Sequence, residues 1–323
     1  DTAISIKELE LSDNTLTLGS DTTDLTVTDP ITLEESEEIF TQSADLTLNG
    51  TLSLDDGILD SSSGTVSLIG GMTQKDGLVN ITHSTLKLKD DLSKTGGTMV
   101  TSNTSIVVLE SLTLTSNSSV SVTTIEWSGS DDTIKLTLVS TQGSEESDFT
   151  LSDNLSMEDT NAQLDTGDAD LTVEGDVTLS EGKLESTLGT LTFSNGAVQS
   201  GSFEFDLGAS DLTVEGDVTL ANNGKLKSTS GTLIFRNGVT QSGSFEFDLG
   251  ASILSLGAGY TKSGGNLLSS SATLDLLVNL AITSDSALSF NQLNLNNLTL
   301  TLGSESSDLQ VSSALILDNS NER

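Results

Sequence analysis

The chain contains no cysteine, so disulfide staples and thiolate metal sites are closed to it. It has one histidine, His83, which excludes His-rich zinc sites and leaves a single imidazole for any nucleophilic chemistry. Proline occurs once, at Pro30; Trp127 and Tyr260 are the only residues of their kinds, and aromatics make up 3% of 323 residues. With so few large rings, buried area has to come from many small aliphatic contacts. Cations are scarce too: 12 Lys and Arg stand against 48 Asp and Glu, a formal net charge of -36. That field repels nucleic acid and anionic membranes, and it favours solubility and cation uptake. No apolar run approaches the ~20 residues of a membrane-spanning helix, so no membrane insertion is expected. Long amphipathic helical patterns are missing, which sets aside helical solenoids.

What is present is repetition. Low hydrophobicity and high charge would by themselves suit disorder. The apolar residues, however, alternate with Thr, Ser, Asp and Glu in short runs, as half-buried strands do. The decapeptide from Asp170 to Leu179 recurs unchanged from Asp211 to Leu220, an offset of 41. Gly201 to Ser210 likewise recurs from Gly243 to Ser252, with the offset longer by one. The extra residue falls in a turn, where Ser180-Glu-Gly-Lys183 becomes Ala221-Asn-Asn-Gly-Lys225. A diverged copy, Ala44 to Gly50, aligns with Ala169 to Gly175 at an offset of 125, about three units. A second signature begins at Gly19, Gly143 and Gly303. A finer mark, Asp followed by Leu or Phe, then Thr or Gln, then Val or Leu, sits at Asp24, Asp45, Asp148, Asp170, Asp211 and Asp308, with spacings of 21 and 22 that halve the unit.

These periods predict an all-β parallel β-solenoid (β-helix) of about 16 coils of ~20 residues, paired into ~41-residue repeats. It is expected as one domain over 1–323, with diverged N-terminal coils and an acidic loop at 1–43, a repeat body at 44–317 and a polar tail at 318–323. A four-stranded propeller blade has a similar length, but blades carry aromatic signatures that this chain lacks. In the repeat, Leu171, Val173, Val177 and Leu179 point inward and Gly175 makes a corner. Phe203 and Phe205 are expected two coils from Phe245 and Phe247, and Phe193 two coils from Phe235, as a core ladder.

The Leu-, Val-, Gly- and Thr-rich coils of about 20 residues resemble filamentous-haemagglutinin-like and autotransporter-passenger β-helix surface proteins in repeat style. That resemblance implies a secreted, right-handed parallel β-helix displayed at a cell surface for adhesion or as a stalk. The opening Asp1-Thr2-Ala3 reads as a mature product after signal-peptide removal, so an extracellular location is expected. Six Asn-x-Ser/Thr acceptors, at Asn49, Asn80, Asn103, Asn117, Asn154 and Asn297, suit such a place.

Chemistry is thin. His83 lies beside a strand pattern and reads as a solvent-facing residue, not a general base. A polysaccharide-active β-helix enzyme would need paired carboxylates or a basic residue. The pairs Asp55-Asp56, Asp90-Asp91 and Asp131-Asp132 read as turn residues, and only Arg236 and Arg323 supply guanidinium. No catalysis and no cofactor is expected. The nonapeptide of calcium-loaded β-rolls is absent, but Glu204, Asp206, Glu246 and Asp248 form an outward acidic stripe that could take up calcium weakly. Charges that block unwanted sheet contacts are the simpler reading of that stripe. Thr15-Leu-Thr17, Thr113-Leu-Thr115 and Thr299-Leu-Thr301 resemble the Thr-x-Thr ladders of ice-binding solenoids, although Thr is also the ordinary occupant of an exposed strand and the motif does not recur at every coil.

The ends carry the last expectation. Ile4 and Ile6, then Leu9 and Leu11, alternate at the start, and Leu315 and Leu317 still read as strand near the end, with no evident cap. These residues are candidates for head-to-tail self-assembly into a filament. The alternative is a monomeric adhesin or stalk that binds a polysaccharide or a host cell surface.

Overall fold

The computed structural model describes residues 3–19, 23–129, 133–141, 148–303 and 308–317. Among them the chain forms short β-strands and turns, with no helix. Neighbouring coils pair in parallel, and the coils stack into a β-solenoid of about 14 turns. The expected 16 coils were too many because the spacing between coils is not uniform. Gly64 pairs with Ser84 and Thr190 with Asp211, close to the expected period, but Val120 pairs only with the distant Phe149.

The chain divides into two compact units, Asp1–Asp153 and Asn154–Arg323. In the first, most coils add a strand to each of three faces. One face is a seven-stranded sheet running from Ile4–Ile6 to Thr124–Trp127. Its inward column is Ile4, Leu25, Leu46, Val66, Leu86, Ile106 and Ile125, each stacked on the next. From Leu25 onward all of these are buried, whereas Ile4 is 42% exposed. Leu25 and Ile31, within the N-terminal segment, stack in register on Leu46 and Leu52. The acidic run beginning at Glu34 is a corner: the Glu37 N–H donates to the Glu34 carbonyl at 3.1 Å, and the Glu34 N–H to Glu37 Oε2 at 2.9 Å.

The second unit is more regular. One inward column is leucine throughout: Leu171, Leu191, Leu212, Leu233, Leu254, Leu274, Leu293 and Leu315. The first seven are buried, and Leu315 is 56% exposed. Beside it run Val173, Phe193, Val214, Phe235 and Leu256. A third column holds Leu164, Leu184, Phe205, Leu226, Phe247 and Leu267. The phenylalanines therefore stand two coils apart with an aliphatic rung between, and one sequence repeat is two coils. Phe193 stacks on Phe205 at 6.1 Å between ring centroids, and Phe235 lies 6.2 Å from Phe247. Phe203 and Phe245 are fully buried just before the strands Glu204–Asp206 and Glu246–Asp248.

Two devices hold the coils in register. The aspartate of the recurring motif clips its coil to the next one. Asp45 Oδ1 accepts from the Thr65 N–H at 2.7 Å, Asp170 from Thr190 at 2.6 Å and Asp211 from Thr232 at 2.7 Å. Glycine permits backbones to touch at corners: a Cβ at Gly201 would lie 1.8 Å from the Ser180 carbonyl oxygen. The residue inserted into the second repeat copy is accommodated where Asn222 takes a left-handed conformation, φ 61°.

Candidate functional site

The proposed acidic stripe is placed outward and half-buried, but it is not a stripe of one sign. The strands Lys183–Glu185 and Lys225–Lys227 interleave with it. Down one column the order is Lys183, Glu204, Lys225, Glu246, and down the other Glu185, Asp206, Lys227, Asp248. Lys225 Nζ sits 2.6 Å from Glu246, Lys183 Nζ 2.6 Å from Glu185, and Lys227 Nζ 3.8 Å from Asp206. The Glu185 and Glu246 carboxylates hold the Lys183 and Lys225 ammonium groups above the usual lysine range. Among the described residues no cluster of three or more His, Cys, Asp or Glu forms a metal-binding group. Three lysines thus stand among five carboxylates, so the stripe is partly neutralised by its own neighbours.

Two of the carboxylate pairs supply corner fasteners. Asp55 binds Lys75 at 2.9 Å and Ser53 at 3.0 Å, and the lysine holds its carboxyl below the usual carboxylate range. Asp90 Oδ1 accepts from the Asp91 N–H at 2.8 Å, and Asp91 from the Thr113 N–H at 2.6 Å. Asp131-Asp132, Arg323, the polar tail 318–323 and the signature start at Gly143 lie outside the described residues. His83 is exposed in a left-handed turn, φ 54°, with its Nε2 3.2 Å from Asn103 Nδ2. Arg236 is paired with Glu215 at 2.8 Å.

Two buried lysines escaped sequence reading. Lys94 is 1% exposed, stacked between Gln74 and Ser116, and its Nζ lies 2.8 Å from both Asn117 Oδ1 and Ser118 Oγ. Burial pulls its pKa below the ordinary lysine value. Lys262 occupies the same kind of place between Gln241 and Ser284, with Nζ 2.6 Å from Asp285 and 2.9 Å from Ser286 Oγ. In both corners the serine stacked on the lysine donates to a carbonyl, Ser116 Oγ to Ser118 at 2.6 Å and Ser284 Oγ to Ser286 at 2.7 Å. The recurring pattern Gln, Lys, Ser-(Asn/Asp)-Ser spans three coils, which hides it from a reading of adjacent residues. Tyr260, also buried, donates its hydroxyl to Gln241 Oε1, and burial pushes its pKa up.

A further surface column is uncharged. Ser156, Thr178, Val198, Thr219, Thr240, Thr261 and Thr283 stack outward on one face of the second unit. It is more regular than the Thr-x-Thr pairs, which lie in the strands Thr15–Thr17, Leu112–Ser116 and Leu300–Leu302 or at their borders.

Of the end residues, Ile4 and Ile6 belong to the outermost strand of their sheet, and Leu315 to the outermost strand Leu309–Ile316 of another. Leu9 and Leu11 are partly exposed but lie in no strand, and Leu317, exposed, follows the last one. No protein-family model, curated protein or solved structure matches the chain. The likeness to surface β-helix proteins thus stands at the level of architecture, a repetitive β-solenoid.

Proposed function

We propose that this protein is an extracellular structural protein whose solenoids stack head to tail into a filament. One observation carries the reading. Two of the inward columns are buried along their length and finish on exposed apolar side chains, Ile4 in one unit and Leu315 in the other. Among the described residues the strands bearing them are the outermost of their sheets, and a sheet edge offers the same parallel pairing that joins the coils inside. The net charge of -36 opposes side-by-side clumping, while stacking along the axis keeps the acidic surfaces apart.

A monomeric adhesin or stalk is the second reading, and the uncharged outward column from Thr178 to Thr283 favours it. In so acidic a protein, a neutral face is where a polysaccharide or cell surface meets least electrostatic resistance. Electron microscopy of negatively stained protein across a concentration series separates the two. Long thin fibres support stacking, and uniform single particles at every concentration support the adhesin.

A further inference from the structure

We propose that Lys94 and Asn117 form a covalent amide cross-link between neighbouring coils, an intramolecular isopeptide bond. This is independent of whether copies stack. Lys94 Nζ donates to Asn117 Oδ1 at 2.8 Å, which keeps the amine within about 4 Å of the carboxamide carbon. Lys94 is almost wholly buried, and among the described residues no carboxylate is ion-paired with it; its partners are an amide and a hydroxyl. A buried lysine without a counter-charge is costly as an ammonium, and desolvation shifts it towards the neutral, nucleophilic amine. Gln74, the rung before it, has a fully buried Oε1 that finds no hydrogen-bond partner, so this corner holds polar groups whose needs the folded chain does not fully meet.

The step balances without any co-reactant. The neutral Nζ attacks Asn117 Cγ, and the Nζ–Cγ bond forms. One Nζ proton passes through the Ser118 hydroxyl, 2.8 Å away, to the amide Nδ2. The Cγ–Nδ2 bond then breaks and ammonia leaves, with no change of oxidation state. Asn117 Nδ2 is already oriented, donating to the Thr95 carbonyl at 2.5 Å. The product replaces a buried amine with a neutral secondary amide and ties the coil of Leu92–Lys94 to that of Leu112–Ser116. In a chain without cysteine, such a bond does the work of a disulfide.

The corner at Lys262 is the internal comparison. There the partner is Asp285, whose carboxyl the lysine holds below the usual range, so the contact is an ion pair and not an amine beside a carboxamide. The bond is therefore expected at one corner and not at the other.

Mass spectrometry of the purified full chain tests this, first intact and then after proteolysis. The proposal expects the intact protein to be lighter than its sequence by one ammonia, with the Lys94 and Asn117 peptides recovered as one branched species. Lys94→Arg and Asn117→Ala should each restore the sequence mass and the separate peptides. An unmodified intact mass for the folded wild-type chain overturns the proposal, as does a loss of ammonia with the two peptides separate, which marks a succinimide at an Asn-Gly step. The wild-type result alone decides, so a variant that fails to fold does not blunt the test.

Discussion

Truncating one rung of the leucine column should cost far more inside than at its end. Leu233 is fully buried between Leu212 and Leu254, and the coils bearing it are fixed by hydrogen bonds to the coils on either side. A Leu233→Ala cavity cannot close by letting the coils approach, because inter-strand spacing is set by the backbone at about 4.8 Å. The cost should fall in the middle or upper part of the range for buried leucines, about 3–5 kcal/mol. Leu315 occupies the same column but keeps 56% of its surface exposed, so Leu315→Ala should cost about 1 kcal/mol or less in dispersed protein. Because a solenoid opens segment by segment, a single global transition is not assured. Native-state hydrogen exchange of the Thr232–Phe235 strand and its neighbours, read beside urea unfolding, is the suitable assay. Equal costs at the two positions would refute the claim that stability resides in the stacked interior column.

Other expectations follow from the same geometry. Asp211→Ala removes the clip to the Thr232 N–H and should cost about 1 kcal/mol, with faster exchange of that amide, while Asp211→Asn keeps most of it. Gly201→Ala drives a Cβ into the Ser180 carbonyl and should destabilise by about 1–3 kcal/mol or more, measured by thermal melting. Asp285 is held below the usual carboxylate range by Lys262, so its contribution to stability is present above the unfolded-state value of about 3.9 and is lost as pH falls through the lowered folded value. Melting temperature from neutral to acid pH should therefore fall less steeply in Asp285→Asn than in wild type. Chelation and readdition of calcium should leave the melting curve unchanged, since lysines interleave with the candidate stripe; a calcium-dependent rise would revive that site.

The architecture was legible because the repeat is nearly exact where it matters. The decapeptide at Asp170 and Asp211 set the two-coil spacing, and the alternation of Leu171 and Val173 with Thr172 set their faces. Coil number was misjudged because corners absorb insertions without disturbing strands, and the long step from Val120 to Phe149 is invisible to a mean period. The lysines within the acidic stripe are hidden from the sequence for a related reason. Glu204 and Glu246 belong to matching coils of the repeat, and the lysines between them come from the intervening coil, which the comparison of identical segments skips. Lys94 was missed because an inward lysine in the place of an aliphatic rung looks like any outward one until the partners on the next coil are known.

Electron microscopy of the wild-type chain beside an Ile4→Asp, Leu315→Asp double variant tests the central claim most directly. Both substitutions place charge on surface that is already partly exposed, so the solenoid itself should persist. Thin filaments that lengthen with concentration in the wild type and vanish in the variant are the predicted result. Single particles in both, or filaments untouched by the two charges, would contradict stacking through these edges.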